Sequence, residues 1–294
     1  MIRSGIDEAG YGPVLGPLVV ASVSMHAPSA RRCERLLRAA GIQDSKQLYQ
    51  GRRLDRLEAV ALAAVAWCTG FVPDTAADLL ALLGENPATL ELDWQQGAER
   101  LRLPLAAPEI PTWLFAGIEP CSCRITALHP QRINACYRTG SNKASLEAEA
   151  VCDLLALIPA GPARTVVDRL SARRYHAGLL HGIADGMEVE ILQEDGQCSS
   201  YRFLRCQHPH EVHFRVKADN DHAPTALASC LAKYVREVHM HLFNDYWCRR
   251  HRWLRPTAGY HTDARRWLHQ LGSGTVEALM DELVRGPYDA GIAS

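Results

Sequence analysis

No stretch of this chain approaches the roughly 20 consecutive apolar residues that a membrane-spanning helix needs, and no segment repeats or falls to low complexity. No basic-then-apolar leader precedes the first strand-like segment, so the expected location is the cytoplasm. Among ten cysteines there is no Cys-x-x-Cys pair, and in an intracellular chain they read as reduced, partly buried thiols. One cluster, Cys198, Cys206, His208, His210 and His213, has ligand chemistry for zinc. Its spacing matches no compact finger, and its alternation is that of a hairpin. Charge of one sign is also lacking: the net charge is −1, so charge as a whole announces no nucleic-acid partner.

What is present is an ordinary globular composition, 47% hydrophobic and 22% charged over 294 residues, enough for one large domain or a core with insertions. Strands are expected over 2–6 and 17–25, joined by a glycine-rich stretch. Apolar spacing of three and four predicts helices over 30–40 and 52–68. Residues 73–120 read as an insertion folded onto the core, since proline recurs while large apolar residues such as Trp94 and Trp113 persist. Only 75–83 is firmly helical there.

Beyond it, 123–127 reads as a strand, 143–158 as a helix and 164–168 as a β-branched strand ending in Asp168. A helix capped by Ser171 is expected to run to Ile183. Extra strands fall at 188–193, 201–206 and 212–217, within a group that starts near 186. A long helix spans 224 to about 243, with Asp221 or His222 just outside it, and two short helices close the chain. The class is α/β.

Candidate chemistry lies in carboxylates. Asp7 and Glu8 are adjacent and run into "GYGPVLGP", which a surface turn would also explain. Asp168 closes a buried strand, where it either caps the next helix or binds something. Asp219 follows a strand and precedes a helix, but Asp221 competes for the cap. If clustered, four such groups repel and one must stay protonated. Hard divalent ions relieve that conflict, and two of them suit phosphodiester hydrolysis.

Five segments, in order, carry a resemblance: "GIDEAGYGPVLGPLVVAS", "QDSKQL", "TVVD", "VKADNDHAPTALASCLAKYVRE" and "TAGYHTDARRWL". Together they resemble the type 2 ribonucleases H, the ribonuclease HII and HIII group. The resemblance implies a ribonuclease H-like mixed β-sheet flanked by helices, with a helical C-terminal part. It divides the chain into a catalytic part, 1–243, and a substrate-contacting part, 244–294. It also implies an endoribonuclease that cuts the RNA strand of RNA–DNA hybrids with two Mg2+ or Mn2+ ions, leaving 3′-hydroxyl and 5′-phosphate ends. Asp7, Glu8, Asp168 and Asp219 fall on the family's four acids. Gly10, Tyr11 and Gly12 fall on its glycine turn, whose backbone meets ribose 2′-hydroxyls. Ser45 and Lys46 fall on substrate-backbone contacts, and Tyr260 on a tyrosine that lies against the nucleotide. On their own, Lys46 also reads as a surface lysine and Tyr260 as a core aromatic.

Two departures stand out: Tyr11 where ribonuclease HII usually has arginine, and Glu237 where an aspartate is usual. Nucleic acid is the expected partner, with no membrane, and a monomer is expected. Two rival readings are a non-enzymatic hybrid- or partner-binding module and a metal-dependent nuclease of the same fold with another nucleic-acid substrate.

Overall fold

A computed structural model of the protein describes residues 1–49, 53–85, 92–107, 109–112, 117–169, 173–186 and 188–286. Seven strands form one mixed sheet: β1 (Ile2–Ala9), β2 (Leu18–His26), β3 (Glu119–Leu128), β4 (Ala163–Asp168), β5 (Glu190–Glu194), β6 (Cys198–Arg205) and β7 (His208–Arg215). Their spatial order is β3-β2-β1-β4-β7-β6-β5. β1 lies antiparallel to β2 and parallel to β4, and β4 lies parallel to β7. Helices cover the sheet as expected for the α/β class.

β2 shows why the layers form. Its sequence LVVASVSMH is buried at every position but the last, the signature of a strand covered on both faces. Alternation divides it: Val19, Ala21, Val23 and Met25 join one core, while Leu18 and Val20 join the other. The first core is closed by α1 (Ala30–Ala39), α2 (Ser45–Leu48), α3 (Asp55–Thr69), α4 (Ala76–Leu82) and the long helix further along the chain at Ala223–Arg250. The second is closed by α5 (Pro130–Arg138) and α6 (Lys143–Ala156), through residues such as Ile133, Val151 and Leu154.

The long helix α9 (Ala223–Arg250) crosses β1 and β2. His222 caps it, so neither Asp221 nor Asp219 takes that task. It meets the sheet at Gly5, where a β-carbon would sit 2.1 Å from the Thr225 nitrogen; only glycine admits the helix there. α9 runs seven residues past the expected end at 243, because Trp247 is buried against Phe243 and Trp267. Two helices close the chain, α10 (His261–Leu271) and α11 (Ser273–Leu283).

Other expectations are corrected. The helix expected up to Ile183 is only α7 (Ala177–Leu180), and its proposed cap, Ser171, lies outside the described residues. His176 explains the change: its ring stacks on Phe214 at 3.8 Å and its backbone N–H donates to the Tyr201 hydroxyl at 2.9 Å. That tethers the segment to the sheet in a non-helical form. The hairpin at 198–215 is real but shifted from the expected strands, turning at Cys206 and Gln207, both with positive φ. His210 bonds Thr165 and His213 bonds Arg164 and Ser200. Among the described residues these cysteines and histidines form no metal-binding group.

The insertion is anchored by Glu58 of α3, which is fully buried. Its carboxylate accepts the backbone N–H groups of Leu105, Ala106 and Ala107 and the Tyr234 hydroxyl, at 2.5 to 2.7 Å. Trp94 is buried against His129, His239 and Phe243, while Trp113 lies outside the described residues.

Candidate active site

The parallel register of β1 and β4 sets Ile6 beside Val167, so the residues that follow, Asp7 and Asp168, emerge at the same end of the sheet. The acid pair is therefore part of strand β1 and not a surface turn. Carboxylate oxygens of Asp7, Glu8 and Asp168 all lie within 4.8 Å of one another. The Glu8 N–H donates to Asp7 Oδ1 at 2.8 Å. Asp168 Oδ1 accepts the Ala218 N–H at 2.8 Å, which ties the end of β4 to the short helix α8 (Ala218–Asp221). α8 in turn delivers Asp219 to the same cleft.

The cleft has a volume of about 480 Å³ and brings together Asp7, Glu8, Gly10, Ser45, Lys46, Asp168, Asp219 and Tyr260. Of the residues singled out in the sequence, Tyr11 and Gly12 do not line it. Tyr11 packs partly on the second core, under Lys143: the ammonium sits 3.9 Å from the ring centroid and donates to the Tyr11 carbonyl at 2.6 Å. Gly10 has φ +92°, and a β-carbon there would strike Arg236 at 2.5 Å. Tyr260 is 49% exposed, an open surface and not a core aromatic.

The electrostatics of the acids are strained. Burial, then Glu8 and Asp168, push the Asp7 carboxyl well above its ordinary value. Burial and then Asp168 raise Glu8. Burial raises Asp168, and burial followed by Asp44 and Asp168 raises Asp219. Lys46 faces them, while the other ammonium lining the cleft, Lys233, is paired with Glu237. Partial burial pulls the Lys46 ammonium down, but Asp44, Asp219, Asp7 and Asp168 together hold it above its ordinary value. Lys46 by itself does not neutralise four carboxylates, and an all-oxygen donor set of this kind fits hard divalent ions.

The opposite rim was less visible in the sequence. Ser45 and Ser229 share a hydrogen bond of 2.9 Å, and Ser229 in turn bonds Asp7. Glu237 accepts from Lys233 at 2.6 Å and from the Tyr49 hydroxyl at 2.9 Å. Asp44 caps α2 by accepting the Lys46 N–H at 2.8 Å, and it stands beside Asp219. Asp44 was missed as a site residue, although it opens the Asp-Ser-Lys segment that drew attention. Arg285, also missed, lies under the glycine turn and donates to its carbonyls.

Comparison with known proteins agrees with this picture. Residues 4–65 match the sequence model of the family described as Ribonuclease HII. A ribonuclease HII of Archaeoglobus fulgidus is 48% identical over 59 residues, covering 20% of this chain and 26% of that protein. One from Roseiflexus castenholzii is 39% identical over 101 residues, covering 34% and 42%. The aligned segments thus span less than half the length of these curated relatives. In fold, the crystal structure of the ribonuclease H2 from Pyrococcus horikoshii superposes with a TM-score of 0.53 at 19% identity, over 94% of this chain and 89% of that one. Over residues 4–65 the chain is thus similar to the Ribonuclease HII family, and its fold is that of the ribonuclease H2 structure.

Proposed function

We propose that the protein is an endoribonuclease that hydrolyses the RNA strand of RNA–DNA hybrids with two divalent ions, Mg2+ or Mn2+, and leaves 3′-hydroxyl and 5′-phosphate ends. The observation that carries this reading is the convergence of Asp7, Glu8, Asp168 and Asp219 in one cleft with their carboxyls raised by burial and mutual repulsion. These four side chains would hold the ions, which supply an activated water and stabilise the leaving oxygen.

The remaining roles fall to the chain's own groups. Lys46 offers its ammonium to a phosphate oxygen beside the acids, and the Ser45–Ser229 pair keeps α2 against α9 so that Lys46 stays there. The main chain at Gly10, which lines the cleft, would meet a ribose 2′-hydroxyl, the group that separates RNA from DNA. Tyr260, from the 244–294 part, presents an exposed ring over which a nucleotide can lie.

The test is one panel: hybrid, duplex DNA with a single ribonucleotide, double-stranded RNA and double-stranded DNA, each with Mg2+ and with Mn2+. Cleavage of the hybrid's RNA strand, lost in Asp7→Asn, is the expected result. An intact hybrid under conditions where a known ribonuclease HII cuts it would overturn the proposal. The second reading, the same metal chemistry on another nucleic acid, is favoured by Tyr11, whose ring and carbonyl are held by Lys143 away from the cleft. Preferential cutting of a different member of the panel would select it.

A further inference from the structure

Beyond α8 the same sheet face holds a second cleft, of about 620 Å³, whose lining includes Arg3, Arg164, Arg215, His213, His222 and Ser200. No carboxylate is among the residues that line it. Arg164 has a partner at its edge, Glu211 at 3.3 Å. Among the described residues Arg3 and Arg215 make no ion pair, and the Arg3 Nε is buried without a hydrogen-bond partner. The crowding of positive charge shows in its neighbours. Burial and then Arg215 and Arg3 hold His222 down to about 3, and burial and then Arg164 lower His213. Glu211, which also faces His213 at 3.6 Å, is shared among several cations, and like charges gathered in excess of their counter-charge cost stability unless a bound anion supplies it.

The cations are spread along a path. A smaller cavity of about 280 Å³ shares Arg3 and His222 with the larger one and adds Arg31. Glu34 and Asp221 also line it, but Glu34 is engaged by Arg38 and the Ala223 N–H. Separated guanidiniums along a groove suit repeating phosphates and not one phosphate. The groove is also in line with the acids. Arg164 and Val166 line it from one face of β4, and Asp168 is the next residue on that face. Four residues of strand span about 13 Å, on the order of four base steps at 3.4 Å each.

We propose that this groove is a second nucleic-acid site, which binds the phosphate backbone of the substrate outside the cleaved step. It rests on the hybrid-cleaving reading and says where the rest of that substrate lies. A protein with net charge −1 has no general field to hold a polyanion, so a local groove would supply the grip.

The experiment measures binding without divalent ions, so that it is independent of cleavage. Wild type, Arg215→Gln and Arg3→Gln/Arg215→Gln are titrated with hybrids of about one and about three helical turns, each turn being about 10 base pairs. The double variant is expected to bind the long hybrid about tenfold more weakly at moderate salt, with its log–log salt slope smaller by about 2. Arg215→Gln, at an exposed position, should reduce the slope by about 1. Affinity for the short hybrid, which reaches only the near end of the groove, should fall by less. Unchanged affinity and slope on the long hybrid, equal weakening on both lengths, or no binding by wild type would each overturn the proposal. So would inorganic phosphate abolishing the long hybrid's advantage at matched ionic strength, because the groove would then be a small-anion site. Length-dependent binding without any cleavage would remove the catalytic reading and leave the groove standing.

Discussion

Arg285 donates from Nη1 to the carbonyl of Gly10 at 2.6 Å, across 275 positions of sequence. The same guanidinium reaches the carbonyls of Gly16, Leu15 and Pro17 at 2.6, 3.3 and 3.0 Å. It is 9% exposed, and every acceptor is a main-chain oxygen of the glycine-rich turn. Arg285→Ala leaves those carbonyls unmet and should cost about 2–4 kcal/mol of stability. Arg285→Lys should recover part of it, since an ammonium cannot reproduce the planar fork. Thermal melts of the three proteins check this, and equal stability of Arg285→Ala and wild type would refute it.

Asp7→Asn should separate stability from activity. It removes the most strongly raised carboxyl of the cluster while an amide oxygen still accepts the Glu8 N–H. Hybrid cleavage is expected to fall on the order of 10²–10³-fold or more. The melting temperature without divalent ions should rise, by about 2–4 °C for each kcal/mol of relieved repulsion. A variant that melts lower than wild type would contradict the account of the cluster.

Divalent ions should act with a definite pH dependence. The four carboxyls sit above their ordinary values when folded, so below about pH 4 folding carries no charge penalty from them. As pH rises through their folded values they ionise unfavourably and that stability is lost. Ions bind only the ionised cluster, so the rise in melting temperature on adding Mg2+ or Mn2+ should grow from about pH 5 to pH 8. A metal effect independent of pH would argue against these residues as the ligands.

Glu58 offers a test of how the insertion is held. In Glu58→Gln an amide N–H2 meets backbone N–H donors at a fully buried site, so a loss of about 3–5 kcal/mol is expected. Proteolysis near residues 105–107 should speed up in parallel, because those N–H groups are what the carboxylate holds. Unchanged cleavage by protease would show that the segment is fixed by other contacts.

Acid should weaken the protein through buried imidazoles. His129, near 4, and His239, well below its ordinary value, are both lowered by burial, and their rings lie 5.2 Å apart. The unfolded chain takes up protons near pH 6.5 while the folded chain does not, so stability falls as pH drops from about 6.5 toward 4. His239→Phe removes one such group and two unpartnered ring nitrogens. Its unfolding midpoint in an acid titration should move to lower pH.

Much of this molecule was legible in local patterns. The run of small and β-branched residues in β2, the three- and four-residue spacing of α1 and α3, and the proline opening α9 are short-range signals, and these elements begin close to where they are expected. The misses have physical causes. Cys206 and Gln207 are poor turn formers that nonetheless take positive φ, so the hairpin was displaced in the reading. α9 continues past its expected end near 243 because Trp247 packs against Trp267.

The sequence by itself determined which oxygens were available, because Asp7, Glu8, Asp168 and Asp219 stand in ordered segments whose types and spacing can be read along the chain. Only the tertiary structure decided what surrounds them. The parallel register of β1 and β4, the capping of α2 by Asp44, the grip of Arg285 on the turn and the arginine groove beyond α8 all join residues far apart in sequence. Repulsion, burial and hydrogen-bond partnership act through distance in space, and the order of residues along the chain does not contain that distance.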